Sequence, residues 1–366
     1  ALATQWFGVH IVQKVWSDIW LIVSLAHHMA SIFLRKHLGN NEYRLRLKKD
    51  MLRCVSLDVN RPPIFNSMLP APLDQDDLEF ITLKGPLVLY ILDRRMTKAG
   101  STRGLSRVIP KILVEAMSGE LTLNALSTHW FLRQSRKVSG YDTKTFAEQW
   151  IYGSGCPKFT FKYHFNRKKM VVEIDMTQEN SSATSALPTD VISDVNSPLA
   201  FQETVTPLFT GNFIARIHEA DGTPYEHILD IQTSAKRFEV QFNTKYKRIR
   251  RNTKRFQAKQ AAAAAAAAEE EQMEGEEGEN ISSIVPSLGL GMPLFEEDTY
   301  RREWRLVEWG QEEDDTSGAA SATFDWIRLD AEFEWICTIK FEQPDYMWAA
   351  QLTKDWDVVA QYEVSR

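Results

Sequence analysis

Eight histidines are the first place to look for chemistry in this chain: His10, His27, His28, His37, His129, His164, His218 and His227. A helix holds a metal best with two ligands at i and i+4 on one face and a third supplied from elsewhere. No two of these histidines have that spacing. His27 and His28 are adjacent, so on a helix they point about 100° apart and chelate poorly. Packed or surface histidines are the reading this spacing supports. Cys54, Cys156 and Cys337 lie far apart, and none sits in a CxxC pair. That argues against a disulfide framework or a cysteine-rich metal site, and for a reducing, intracellular compartment.

The densest functional-group run is cationic. Lys245, Lys247, Arg248, Arg250, Arg251, Lys254 and Arg255 place seven positive charges in eleven residues, with Tyr246 and Phe256 available for packing or stacking. Such a run suits phosphate contact, which positions a duplex without reading its bases. It equally suits an acidic partner surface, or a solvated face neutralised by the glutamates of 269–279, and the three readings stay open. A second run, Arg94, Arg95, Lys98, Arg103, Arg107 and Lys111, fits an ordinary helix surface at least as well as DNA contact. Asn166, Arg167, Lys168 and Lys169 read as a hairpin tip.

These residues must be positioned by two kinds of element. In 1–155 apolar residues recur at three and four, as in Ile19, Leu21, Ile22, Leu25, Met29, Ile32 and Phe33. A helix is expected from an N-cap at Ser17 to Gly39, with a second through Tyr43 to Met51 and a Pro-rich loop over 58–74. Further helices are expected over 84–98, 105–117, 122–135 and 143–152. The apolar stretch from Trp16 to Phe33 contains Asp18, His27 and His28 and reads as a buried helix, not a membrane span.

After Gly153-Ser154-Gly155-Cys156-Pro157 the pattern alternates: Phe159, Phe161, Tyr163 and Phe165, then Val171 to Met176. Strands are expected there and at 213–219, 226–232, 237–242, 324–329 and 333–341, with a turn at Asp221-Gly222. Together they read as a β-sandwich with long insertions. Loop 179–200 is rich in Ser, Ala, Pro and Asp. The insertion 257–323 holds eight consecutive alanines and then seven glutamates in eleven residues, which cannot build a core. Residues 345–366 return to helical spacing. The division expected is 1–155, 156–343 and 344–366. With 366 residues, 43% hydrophobic, 25% charged and a net charge of −6, a soluble globular chain of about two domains is expected, not a nucleic-acid protein by charge alone. No signal peptide opens the chain, and its first residue is alanine, which fits a fragment.

The segments LATQWFG and VWSDIWLIVSLAHHMASIF closely resemble the gluzincin zinc aminopeptidases, whose pattern is HELAHQWFG, a spacer and WLNEGFA. Gln5, Trp6, Phe7, Gly8, Trp16, Asp18, Trp20 and Leu21 match at the family's spacing, LKGPLVLYIL resembles its Tyr-x-Lys-Gly segment, and WIYGSGCP its junction into a β-sandwich. The resemblance implies a helical aminopeptidase-like domain, here its C-terminal part, then an inserted β-sandwich and the start of a helical-repeat domain: an α+β multidomain chain. It also puts Ala1 where the base glutamate belongs, Thr4 at the second histidine, Val23 at the carboxylate ligand and Thr82 at the transition-state tyrosine. One remaining histidine, preceding the chain, would not hold catalytic zinc, so no catalytic, metal-binding or cofactor-binding residue is expected.

Longer segments, including FLRKHLGNNEYRLRLKKDM, HEADGTPYEHILDI and WIRLDAEFEWICTIKFEQPDYMWAAQLTKDWDVVAQ, resemble a non-catalytic branch of that superfamily, the peptidase-like TBP-associated factors of TFIID. That resemblance implies a nuclear scaffold, not an enzyme, with other TFIID subunits and core promoter DNA as partners and no membrane. An active zinc aminopeptidase is the alternative, and an isolated domain without partners a third.

Overall fold

The computed structural model describes residues 1–99, 104–166, 169, 171–181, 208–219, 223–241 and 324–365. All of them fall in one contact unit, Ala1–Asn243 with Phe324–Arg366. The helical part runs α1 (Leu2–Trp6), α2 (Ile19–Leu38), α3 (Asn40–Leu57), α4 (Gln75–Lys98), α5 (Leu105–Met117), α6 (Thr128–Ser139) and α7 (Thr143–Trp150). Two short parallel strands, β1 (Val12–Gln13) and β2 (Ala125–Leu126), pair between them.

The α2 helix buries Trp20, Leu21, Ile22, Leu25 and Ala26 and stops at Gly39, whose φ of 90° a residue with a Cβ resists. It is long and apolar enough to cross a membrane, yet that face packs against α4. Contact with α4 is close because Gly85 carries no side chain: a Cβ there would lie 1.8 Å from Ser24 Oγ. Ser17 is not the expected N-cap. It is buried in a single 3-10 turn, Trp16–Asp18, and Asp18 is the residue that binds, accepting from Val15 N at 3.3 Å and Thr128 N at 2.9 Å.

Two helices run longer than expected. Leu47, Met51 and Cys54 keep one buried face, carrying α3 past Met51 to Leu57. Asp76 and Asp77 suit the positive end of a helix and lie in the first turn of α4, which starts at Gln75 rather than 84. The helix expected over 122–135 divides. Leu123 and Asn124 have positive φ, and Ser127 caps a new start by accepting from Trp130 N at 3.3 Å.

The strands form two sheets. One has β3 (Pro157–Asn166), β4 (Val171–Asn180), β7 (Ala235–Gln241) and β9 (Thr338–Phe341) in the order β7-β4-β3-β9; the other has β5 (Gly211–Glu219), β6 (Pro224–Ile231) and β8 (Phe324–Leu329) in the order β6-β5-β8. β9 is parallel to β3 and the remaining pairs are antiparallel. Alternation turns Phe159 and Phe161 inward, and their rings meet Phe213 of the other sheet at 5.4 and 5.0 Å.

Residues 179 and 180, expected in the loop, close β4. Of the strand expected over 333–341, only Thr338–Phe341 forms. Asp330 and Phe333 take positive φ, and Asp330 accepts from Glu334 N at 2.8 Å and Trp335 N at 3.1 Å, folding 330–337 into an irregular segment. After β9 come α8 (Asp345–Lys354) and α9 (Val358–Val364), the latter capped by Asp357, which accepts from Val359 N at 3.1 Å. The turn at 221–222, most of the loop 179–200 and the insertion 257–323 lie outside the described residues.

Candidate functional site

The positions that resemble zinc chemistry are spent locally. Thr4 Oγ1 donates to Ala1 O at 2.7 Å, Thr82 Oγ1 donates to Glu79 O at 2.9 Å, and Val23 packs half-buried on the hydrophobic core. A threonine and a valine at two of the three ligand positions are not a donor set for zinc, so the residues present do not fit the metal. Among the described residues no group of three or more His, Cys, Asp or Glu is placed to hold an ion. Residues matching the family at Trp16, Asp18 and Trp20 keep structural bonds: Trp16 Nε1 donates to Pro70 O and Trp20 Nε1 to Thr128 Oγ1, each at 3.0 Å. Beside Thr82 lies a cavity of about 190 Å³ bordered by His27, His28, Tyr43, Asp50 and Tyr90. Burial lowers the pKa of both histidines, so they are poor cations there. The volume is below the usual size of a small-molecule site.

Two polar joints bind the helices to the strands. In the first, Lys84 Nζ of α4 lies 2.6 Å from Asp58 Oδ2, with neither side chain exposed. Cys156, just before β3, turns its Sγ to the same oxygen at 3.1 Å, and Ser181 Oγ donates to Asp58 O at 3.2 Å. Burial alone lowers a lysine's pKa, but the adjacent Asp58 carboxylate holds this ammonium above its ordinary value. The neighbouring Cys54 thiol, burial and Asp58 together push Cys156 well up, so it is a thiol and not a nucleophile.

The second joint centres on Glu332 in the irregular segment. Its carboxylate meets Arg44 of α3 at 3.4 Å, Arg94 of α4 at 2.9 Å and Arg216 of β5 at 3.2 Å. Its carbonyl accepts from Tyr90 at 3.0 Å. Lys98 pairs with Glu334, and the Arg95 guanidinium stands over Trp335 at 4.9 Å and Phe146 at 5.5 Å. Arg44 continues to Asp357 at 2.9 Å, and the buried Arg328 binds Asp355 and Asp357 at 3.2 and 3.1 Å. The joint therefore ties α3, α4, β5, β8 and the α8–α9 pair together. A carboxylate shared by three guanidiniums, each partly withdrawn from water, is stronger than a surface pair.

This geometry settles part of the second basic run. Arg94, Arg95 and Lys98 have partners in the irregular segment before β9, Lys98 while still exposed; Lys111 donates to Gln134 Oε1 at 2.9 Å, Arg107 is exposed, and Arg103 lies outside the described residues. Lys169 pairs with Glu239 at 2.7 Å, while Arg167 and Lys168 are outside the described residues. The main candidate run, Lys245, Lys247, Arg248, Arg250, Arg251, Lys254 and Arg255, lies outside them too. Sequence reasoning missed Asp58, Arg44, Glu332 and Arg328. Lys84 stood in the recognised Lys-Gly segment, the one signal that pointed toward a joint.

A family model described as the TAF2 Ig-like domain matches residues 154–344, over half of the chain. Transcription initiation factor TFIID subunit 2 of Schizosaccharomyces pombe is 41% identical over 374 residues, aligning with 100% of this chain and 30% of its own length. The chain belongs to the TFIID subunit 2 family. The Saccharomyces cerevisiae protein of the same name is 35% identical over 386 residues, covering 100% of this chain and 26% of that protein. Compared with TFIID subunit 2 of these yeasts, then, the chain spans less than a third of the length. Among solved structures, Legionella pneumophila aminopeptidase A superposes with a TM-score of 0.54 at 11% identity, over 100% of this chain and 29% of the enzyme. That likeness is one of fold and includes both the helical and the sandwich parts.

Proposed function

We propose that this chain is a non-catalytic scaffold segment of a TFIID subunit, acting in the nucleus in transcription initiation. In this reading it supports assembly of the complex and core promoter DNA binding for RNA polymerase II preinitiation complex formation. The observation that carries it is the fate of the zinc positions: Thr4 and Thr82 bond to nearby backbone and Val23 packs on the core. The two polar joints support it further, because rigid fusion of three parts suits a surface that others assemble on. The partners are other TFIID subunits and promoter DNA, direct or through the complex, with no membrane. The parts are 1–155, 156–343 and 344–366, the last opening a helical-repeat domain.

The test uses the full-length protein from nuclear extract. It is expected to bring down other TFIID subunits, to contain well under one zinc per chain and to leave aminoacyl amides intact. Stoichiometric zinc with hydrolysis overturns the reading in favour of an active zinc aminopeptidase. For DNA, the triple change Arg248→Ala, Arg250→Ala, Arg251→Ala is expected to weaken binding equally on different sequences. The salt slope shrinks by up to about one unit per lost phosphate contact. Loss of assembly with DNA binding intact assigns the run to a protein partner instead.

A further inference from the structure

β9 (Thr338–Phe341) is the outermost strand of its sheet and pairs only with β3. Of the described elements, β3 alone runs closely beside it. A strand bonded along one edge presents N–H and C=O groups along the other, a template for a further strand. On β9 those groups have no backbone partner among the described residues.

A cavity of about 720 Å³ lies at this edge, and both Thr338 and Ile339 line it. Successive residues point to opposite faces of a sheet, so a cavity that touches both meets the strand edge-on. α3 and the residues after it supply Leu52, Val55 and Val59 to the walls, and Trp335 and Tyr362 add aromatic surface. Val59 is 41% exposed. An unpaired strand edge beside apolar walls is the arrangement into which an extended segment inserts. Its main chain bonds the edge, and alternate side chains fill the space beside it.

The charges in the lining leave one cation over. Lys48 is matched by Glu363 at 2.9 Å. Asp330 is 5% exposed and accepts from two backbone amides, and burial pushes its pKa up to about 8, so near neutral pH it is mostly uncharged. Lys158 of β3 stands beside Thr338 in the register and is exposed. It makes no ion pair with a described residue, although Glu179 faces it across the β3–β4 ladder. The groove is thus apolar with a free ammonium at its rim, which favours an occupant carrying a carboxylate.

We propose that the free edge of β9 receives an extended segment of a protein partner as a fifth strand of this four-stranded sheet. The segment turns apolar side chains to the Ile339 side and an acidic residue to the Thr338 side, where Lys158 meets it. Nucleic acid has no row of amides to offer such an edge. This docking deepens the scaffold reading and rests on it for the partner's being another subunit of the complex. Zinc content and hydrolysis read a different property, so either idea can fail alone.

The test is amide hydrogen exchange of the full-length protein, read by mass spectrometry over residues 336–343. The probe is the peptide Ac-Ser-Val-Glu-Val-Ser-NH2. One control is the same peptide N-methylated at every residue, and a second has glutamine in place of glutamate. The probe is expected to slow about half of the β9 amides, saturably and at millimolar concentration, because alternate residues face the free edge. The N-methylated peptide leaves them unchanged. Lys158→Gln weakens binding of the probe up to about five-fold, while the glutamine peptide binds the native and Lys158→Gln proteins equally. The melting temperature of Lys158→Gln stays close to the native value because the side chain stands in solvent. Equal protection by the N-methylated peptide, no saturable protection, or indifference of the probe to Lys158→Gln overturns the proposal. So does slow exchange of every β9 amide in the free full-length protein, since the edge is then already covered.

Discussion

Lys84 Nζ and Asp58 Oδ2 meet at 2.6 Å where no water reaches either side chain. Coulomb attraction in that setting offsets two large desolvation costs, so removing one partner is worse than removing both. Lys84→Met is expected to destabilise the chain by about 3–5 kcal/mol, with Lys84→Met/Asp58→Leu less destabilised than the single change. Urea denaturation of the two variants decides. A double variant at least as unstable as the single one contradicts the pairing.

Glu332 is expected to couple energetically to residues far away in sequence. A double-mutant cycle with Arg94→Leu and Glu332→Gln should give an interaction free energy of about 0.5–3 kcal/mol. The same cycle with Arg46→Leu, whose partner Glu42 is one turn away and exposed, should give about 0.3–0.5 kcal/mol or less. Additive behaviour at Arg94 would remove Glu332 from the centre of the joint.

Gly85→Ala tests the approach of α2 to α4. The added methyl meets Ser24 Oγ at 1.8 Å and Ser24 Cβ at 3.0 Å, an overpacking expected to cost about 1–3 kcal/mol. Ser24→Ala in the same background removes the nearer clash and is expected to recover part of that loss in thermal melts.

His218 predicts an acid-side weakness. Burial moves its pKa from 6.5 to about 4, with Asp355 and Asp325 raising it and Arg328 and Arg216 lowering it. The folded chain then binds fewer protons than the unfolded chain between those values. Stability from the neutral ring is complete above about pH 6.5 and drains away as pH falls toward about 4. Urea midpoints of the native chain should fall more steeply through that window than those of His218→Phe, which keeps an aromatic ring against Trp326. Parallel slopes would assign the titration to other groups.

The sequence carried the periodic elements well. Phe159, Phe161 and Val171 to Met176 alternate because the sheet has one dry face, and they lie in β3 and β4. The expected helix over 105–117 is α5. What failed was aperiodic. Leu123 and Asn124 at positive φ break the helix expected from 122, and Asp330 bends a run whose composition alone suggested a strand. The joints were harder still. Asp58 lay in an expected Pro-rich loop, 26 residues from Lys84, and nothing local in either segment announces the other. Glu332 and Arg44 are separated by 288 residues, so only the fold makes them neighbours.

The chain leaves the first sheet at β7 and re-enters the second at β8, and each is the outermost strand of its sheet. No ladder has to open for the stretch between them to lengthen or shorten. The pairing of neither sheet therefore depends on how many residues join β7 to β8, so that number can change between lineages while the register of the paired strands stays as it is.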